Sequence, residues 1–85
     1  MKIILYSKPG CHLCEGLEEK LRAITDITID LEIRDIMTNE KWFELYQYEI
    51  PVMFMTTKQG EKPIPRISPR TSVTQLSKTL QKFSH

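Results

Sequence analysis

The sequence has almost no net charge and no long hydrophobic run. Its 85 residues include 12 Lys or Arg and 11 Asp or Glu, which leaves a formal net charge of +1. So small a charge gives no whole-molecule field that would attract nucleic acid or an anionic membrane. No stretch approaches the ~18 apolar residues that a membrane-spanning helix needs. We therefore expect neither nucleic acid nor a membrane as a partner.

Targeting features are also missing, and cysteine is scarce. The first ten residues, MKIILYSKPG, hold a short apolar run without a small-residue cleavage site, so we expect a cytoplasmic protein. The chain has two cysteines, and two cysteines in a reducing compartment rarely form a permanent crosslink. Their presence therefore favours metal binding or redox chemistry.

What is present suits one α/β domain. Eighty-five residues leave room for a single core, so we expect one domain over 1–85. The hydrophobic patterns predict seven elements in the order β-α-β-α-β-β-α. The predicted strands cover residues 2–6, 27–34, 51–57 and 62–67. Of the three predicted helices, the first begins at residue 11, and the other two cover residues 38–48 and 72–83. Pro63 and Pro65 mark the fourth strand as an edge, because proline donates no ladder hydrogen bond.

The first and third predicted helices each carry an apolar stripe that should face a core. The stripes are Leu13, Leu17, Leu21 and Ile24 in the first helix, and Val73, Leu76, Leu80 and Phe83 in the third. Ser72, with Gln75 three residues later, predicts a capping box where the third helix begins. Gly16 is a poor helix former inside the first helix, and we interpret it as a point of close packing.

The second predicted helix is rich in aromatic residues. We interpret its large apolar side chains as core and near-surface packing, because aromatic side chains bury the most area. They are Trp42, Phe43, Leu45 and Tyr46. The alternative is that Trp42 or Tyr48 flanks a binding groove.

Both cysteines lie in the segment YSKPGCHLCEG, between the first strand and the first helix. A closed zinc site needs four ligands, and the candidates in this chain are Cys11, Cys14, His12 and His85. On a helix, His12 would point away from the cysteine pair. We therefore do not expect a metal site within one chain, whereas a metal or iron–sulfur cluster shared between two chains remains an alternative.

The position of the cysteines at a predicted helix N-terminus favours thiol redox chemistry. Free backbone N–H groups at this end of a helix lower the pKa of a cysteine, and the thiolate is the species that attacks a disulfide. We predict that Cys11 is this nucleophile and that Cys14, one turn further on, resolves the mixed disulfide. Lys8 adds positive charge near the thiolate, and His12 adds more if it is protonated.

Two motifs together resemble a glutaredoxin-type member of the thioredoxin superfamily. They are YSKPGCHLC after a buried strand and YEIPVMFM some forty residues later. The resemblance covers about residues 2 to 83 and implies a thioredoxin fold, an α/β fold with a four-stranded mixed sheet and three helices. It also implies that Pro51 is cis and faces the cysteines, and that the backbone of Ile50 holds the substrate as an added strand.

The resemblance also implies a glutathione site, but only part of that site is present. Lys8 matches the family lysine that meets a glutathione carboxylate. Glu49 replaces the usual threonine of a Thr-Val-Pro motif, and His12 and Leu13 replace the usual proline and tyrosine between the cysteines.

The usual Gly-Gly pair after the fourth strand is replaced by the run RISPRTS, residues 66–72. Arg66, Arg70 and the helix-capping Ser72 would bind an anion there, or the arginines are ordinary surface charges. The first strand lacks the buried aspartate that thioredoxins carry, which favours the glutaredoxin side.

The function implied is dithiol–disulfide exchange by a monomer. The expected partners are a disulfide-containing protein or a glutathione mixed disulfide. No cofactor is expected beyond a reducing partner, for which glutathione is the first candidate. The two alternatives are a binding module for a shared metal or iron–sulfur cluster, and an adaptor that presents the groove around Trp42, Tyr48 and Pro51 without turnover.

Overall fold

The computed structural model describes residues 1–84 and confirms the predicted order of strands and helices. The elements are β1 (Lys2–Ser7), α1 (His12–Ala23), β2 (Asp30–Asp35), a 3₁₀ helix (Ile36–Thr38), α2 (Glu40–Tyr46), β3 (Val52–Thr57), β4 (Gly60–Pro63) and α3 (Val73–Phe83). The 3₁₀ turn is the one element that the sequence pattern did not predict. Asn39 separates it from α2, and its side-chain oxygen accepts from the backbone N–H groups of Lys41 and Trp42.

The four strands form one mixed sheet in the order β2-β1-β3-β4. β1 pairs in parallel with β2 and antiparallel with β3, and β4 pairs antiparallel with β3. β4 is thus an edge strand, as its prolines predict. The central position of β1 explains its apolar run, because both of its faces are covered and Ile3 to Tyr6 are all buried.

Alternate residues of β1 serve two separate cores, because successive side chains of a strand point to opposite faces. Ile3 and Leu5 face the larger core, which α1 and α3 cover. The other buried residues of that core are Leu21, Ile24, Met53, Met55, Ile64, Leu76 and Leu80. Val73 and Phe83 pack against its border, so the predicted stripe of α3 is confirmed.

Ile4 and Tyr6 face the smaller core, which the 3₁₀ helix and α2 cover. The Tyr6 ring lies 4.4 Å from the Tyr46 ring and 5.7 Å from the Trp42 ring, centroid to centroid. Phe43 also packs there. The packing role predicted for the aromatic residues of α2 is therefore confirmed, but Leu45 is 57% exposed and does not contribute.

Arg34 covers the border of the smaller core. Its guanidinium lies over the rings of Tyr6 and Trp42, and it donates hydrogen bonds to Glu32, Glu61 and the Tyr6 hydroxyl. Burial works against the charged form, but these hydrogen bonds outweigh it and raise the pKa of Arg34 above its ordinary value. Hydrogen bonds from Arg34 and then Lys2 lower the pKa of Glu32.

Two of the predicted strands have wrong boundaries, and strand pairing explains the first case. The strand predicted over 27–34 begins at Asp30, because its partner β1 begins at Lys2 and Lys2 pairs with Asp30. Ile27 and Ile29 still pack against the larger core, although they precede the strand.

The strand predicted over 62–67 is instead Gly60–Pro63. A tight turn returns the chain at Gly60, whose φ of 109° suits glycine, so pairing with β3 starts early. Beyond Pro63 one more backbone hydrogen bond joins the chain to β3, from the Ile64 N–H to the Met53 carbonyl over 3.0 Å.

The helices of residues 1–84 are too short, and too polar, to cross a bilayer.

Candidate active site

The cysteine motif follows the carboxyl end of β1. Gly10 has a φ of 82°, a left-handed conformation that glycine adopts without a steric penalty, and it turns the chain between β1 and α1. The backbone N–H of Cys11 donates to the Lys8 carbonyl over 3.3 Å. Cys11 has an extended backbone and directly precedes α1 as its N-cap, which agrees with a helix starting at the first cysteine.

Cys11 and Cys14 are joined as a disulfide, with 5.3 Å between their Cα atoms. The Cys11 Sγ also accepts a hydrogen bond from the backbone N–H of Cys14 over 3.3 Å, which is the usual contact of a helix N-cap. Cys14 is 2% exposed, whereas Cys11 is half-buried. Of the two sulfurs, the one at the helix end is thus the more accessible.

The segment before β3 is held by backbone hydrogen bonds to α2 and by one arginine. The peptide bond between Ile50 and Pro51 is cis, as the resemblance implies. The N–H of Ile50 donates to the Tyr46 carbonyl over 3.1 Å. The Arg66 guanidinium donates to the Glu49 carbonyl over 3.2 Å.

A surface cavity of about 120 Å³ lies between α1, Pro51 and the loop that follows β4. His12 and Leu13, the two residues between the cysteines, line it. Most of its lining is apolar, and its ionisable lining residues are all basic. The lining consists of Leu13, Gly16, Leu17, Pro51, Ile67, Ser68 and Pro69, together with His12, Lys20 and Arg66.

The cavity explains one wrong prediction about the first helix. Leu13 was expected to face the core but is 54% exposed, because this end of α1 faces the cavity.

Gly16, interpreted from the sequence as a point of close packing, is not one. A Cβ built on Gly16 would meet nothing within 4 Å.

The loop that forms one wall of the cavity is tied to α1 and to the segment before Pro51. Lys20 Nζ donates to the Pro69 carbonyl, and Arg66 donates to the Glu49 carbonyl. Both cations thus donate to neutral carbonyl oxygens.

Lys8 and His12, which lie on either side of Cys11 in the sequence, line different surface depressions. Lys8 lines a separate crevice with Cys14, and this crevice shares no lining residue with the cavity at Pro51. The His12 side chain is 94% exposed, with Nδ1 3.6 Å from the Glu15 carboxylate.

Arg70 and Ser72 lie further along the loop after β4. The backbone N–H of Arg70 donates to the Ser68 hydroxyl over 3.2 Å, and Arg70 is exposed. Ser72 accepts from the Gln75 N–H over 3.1 Å, so its predicted capping role is confirmed. Neither Arg70, Ser72 nor Ile50 lines the cavity at Pro51.

Clustered metal ligands were also sought in the part of the chain that the structure describes. Within residues 1–84 no three His, Cys, Asp or Glu side chains cluster as metal ligands would. His85, the fourth candidate ligand in the sequence, lies outside the described residues.

Comparison with known proteins supports the same superfamily. The family model of the Glutaredoxin-like domain (DUF836) matches residues 2–81. No curated protein matches the chain. The structure of thioredoxin 1 from the thermophilic eubacterium Thermosipho africanus TCF52B is similar, with a TM-score of 0.66 and 22% identity over 99% of this chain and 94% of that one. At that identity the likeness shows a thioredoxin-like fold, and the paired Cys11 and Cys14 on this fold support a redox role.

Proposed function

Because the chain belongs to the glutaredoxin-like domain family, we propose that it is a dithiol–disulfide oxidoreductase in which Cys11 is the nucleophile and Cys14 the resolving thiol. The observation that carries this proposal is the unequal placement of the two sulfurs. Cys11 is half-buried at the N-terminus of α1, whereas Cys14 is 2% exposed. A substrate sulfur can reach Cys11 first, and Cys14 is within bonding distance of it.

The exchange proceeds in two balanced steps. The Cys11 thiolate attacks one sulfur of the substrate disulfide, and the other substrate sulfur leaves as a thiolate that takes up a proton. The Cys14 thiol then loses its proton and attacks the Cys11 sulfur, which releases the second substrate sulfur. The substrate gains two electrons and two protons, and the protein is left with the Cys11–Cys14 disulfide.

Local groups favour the Cys11 thiolate over the thiol. The backbone N–H of Cys14 points at Sγ of Cys11, and the positive end of the α1 dipole lies at the same place. Lys8 and a protonated His12 would add positive charge close to it. Both side chains are exposed, so water and salt weaken their effect.

The substrate would lie across Pro51 and the segment before it. An added substrate strand would use the Ile50 carbonyl or replace the contact between the Ile50 N–H and Tyr46. We expect a disulfide-bonded protein or a glutathione mixed disulfide as substrate, and a monomer that acts in the cytoplasm.

Glutathione is the proposed electron donor. Two glutathione thiols would reduce the Cys11–Cys14 disulfide and leave as glutathione disulfide. Lys8, Arg70 and Ser72 are the candidates to hold its carboxylates.

Equilibration with defined ratios of reduced to oxidised glutathione tests the proposal. The protein is quenched in acid and analysed by mass spectrometry, with Cys11→Ser and Cys14→Ser measured beside it. We expect a reversible Cys11–Cys14 disulfide that reduced glutathione resets, and a glutathione adduct on Cys11 in the Cys14→Ser protein.

Other results separate the donor from the chemistry. If glutathione does not reduce the Cys11–Cys14 disulfide but a thioredoxin-type reductase does, the proposed disulfide exchange would stand and the proposed electron donor would be wrong. If neither system reduces the Cys11–Cys14 disulfide, the proposed oxidoreductase function would be overturned.

A further inference from the structure

Gly16 occupies a helical position that does not need a glycine. It lies within α1, and its φ is outside the left-handed region in which glycine is favoured. An added Cβ would meet nothing within 4 Å, so no neighbouring element packs so closely that it requires a glycine here. Glycine also destabilises a helix interior relative to alanine. Gly16 lines the cavity beside the cysteine motif, so a side chain at this position would occupy that cavity.

We propose that Gly16 keeps this cavity open for one apolar side chain of a substrate polypeptide, and that the cavity selects protein disulfides with an apolar and an acidic residue close to the reactive cysteine. This inference rests on the proposed oxidoreductase function and names its substrate class.

The size of the cavity fits a single side chain. Its volume is about 120 Å³, and an engineered protein cavity of about 150 Å³ is enough to bind benzene. Leu17, Pro51 and Ile67 give it apolar walls. A leucine-sized side chain would fill this space, whereas glutathione (γ-glutamyl-cysteinyl-glycine) has no apolar side chain to place there.

The charges around the cavity favour an acidic neighbour on the substrate. No carboxylate is among its lining residues. Of its three basic residues, His12 lies 3.6 Å from Glu15, whereas Lys20 and Arg66 donate to backbone carbonyls. A carboxylate on the substrate would complement these two cations, whereas a positively charged substrate residue at the same place would be repelled by them.

The test is a single-turnover reaction between the pre-reduced protein and a series of peptide disulfides. Each peptide is a Gly-Ser sequence with one cysteine, capped as a mixed disulfide with cysteamine. A leucine is moved stepwise along the positions on either side of the cysteine, with glutamate or lysine as the charged residue. Hydroxyethyl disulfide, which has neither group, is the reference substrate.

We expect the best leucine peptide to be reduced about tenfold faster than its glycine counterpart, the selectivity that one well-placed apolar group gives. The glutamate version should react faster than the lysine version, and added salt should reduce that difference. Equal rates across the series, with hydroxyethyl disulfide still reduced, would overturn the inference and leave the proposed function standing. If neither the peptides nor hydroxyethyl disulfide were reduced, both the inference and the proposed function would be overturned.

Variants at Gly16 separate the cavity from a structural role of the residue. Gly16→Leu should bring the ratio of leucine-peptide to glycine-peptide rates close to one. Glu19→Leu adds the same side chain at an exposed position of α1 outside the cavity lining, and it should leave the ratio unchanged. An unchanged ratio in Gly16→Leu would contradict the inference.

Gly16→Ala covers the possibility that leucine disturbs folding. Alanine should raise the Tm, because it favours the helix, and still lower the ratio by filling part of the cavity. A fall in Tm would show that the glycine serves the fold, and a ratio unchanged from wild type would show that the space is not used. Either result would overturn the inference.

Discussion

The backbone N–H of Cys14 donates a hydrogen bond to the Sγ of Cys11 over 3.3 Å. Cys11 therefore caps α1, whereas Cys14 lies in the first turn of α1 and is 2% exposed. This relationship gives two cysteines of one motif different surroundings. The difference is the physical basis for assigning them different roles.

The first prediction concerns the reactivity of the two thiols in the reduced protein. We expect iodoacetamide to alkylate Cys11 faster than Cys14 near neutral pH, by about tenfold or more, because Cys11 is the more accessible residue and is the proposed thiolate nucleophile. Peptide mapping of timed samples would measure both rates. Cys14→Ser should retain the fast reaction, and Cys11→Ser should retain only the slow one. Equal, slow labelling of both cysteines would contradict the assigned roles.

The second prediction concerns Arg66, whose guanidinium donates to the Glu49 carbonyl. In Arg66→Ala the segment before Pro51 loses this contact, and we expect KM for the disulfide peptides to rise about fivefold, with a smaller change in kcat. Arg66→Lys keeps the charge and should recover part of the loss. Lys58→Ala removes an exposed cation from the turn between β3 and β4 and serves as the control. KM values that do not separate Arg66→Ala from Lys58→Ala would refute the role.

Much of the fold could be predicted from the sequence because its signals are local. The apolar run of β1 and the stripe of α3 repeat with the period of their own element. The start of β2 could not be predicted in this way, since it depends on which residue of β1 pairs with Asp30. The exposure of Leu45 likewise depends on where α2 lies on the sheet, and its spacing from Phe43 does not indicate this.

The candidate site was predictable where a motif identifies it and not where tertiary structure assembles it. The motif CHLC predicted the paired cysteines, and EIP predicted the cis peptide before Pro51 through the family resemblance. The cavity brings together Gly16, Pro51 and Ile67 from distant parts of the chain. Its one signal in the sequence was a glycine inside a helix pattern, and that signal was interpreted as close packing.

The third prediction concerns stability and compares two leucines. Leu80 is 0% exposed in the larger core, whereas Leu45 is 57% exposed on α2. Leu80→Ala should lower the free energy of unfolding by about 2–5 kcal/mol, because it removes buried area and leaves a cavity. Leu45→Ala should change it by less than about 0.5 kcal/mol. Urea unfolding followed by circular dichroism measures both, and similar losses in the two variants would contradict the assignment of the core.

The fourth prediction concerns acid stability and depends on Glu32. Hydrogen bonds from Arg34 and then Lys2 lower the pKa of Glu32 below its ordinary value of 4.5. Near that pH the folded protein therefore binds fewer protons at Glu32 than the unfolded chain does. The stabilisation is present above the unfolded pKa and is lost as the pH falls through the folded one.

We therefore expect the Tm difference between the wild type and Glu32→Gln to be largest near neutral pH and to shrink between about pH 6 and about pH 3. Glu44→Gln, at an exposed carboxylate on α2, is the matched control and should follow the wild type. Thermal unfolding at a series of pH values measures this. A Tm difference that stays constant with pH would mean that Arg34 draws its stabilisation from Tyr6 and Glu61 instead, since those contacts remain in the Glu32→Gln variant.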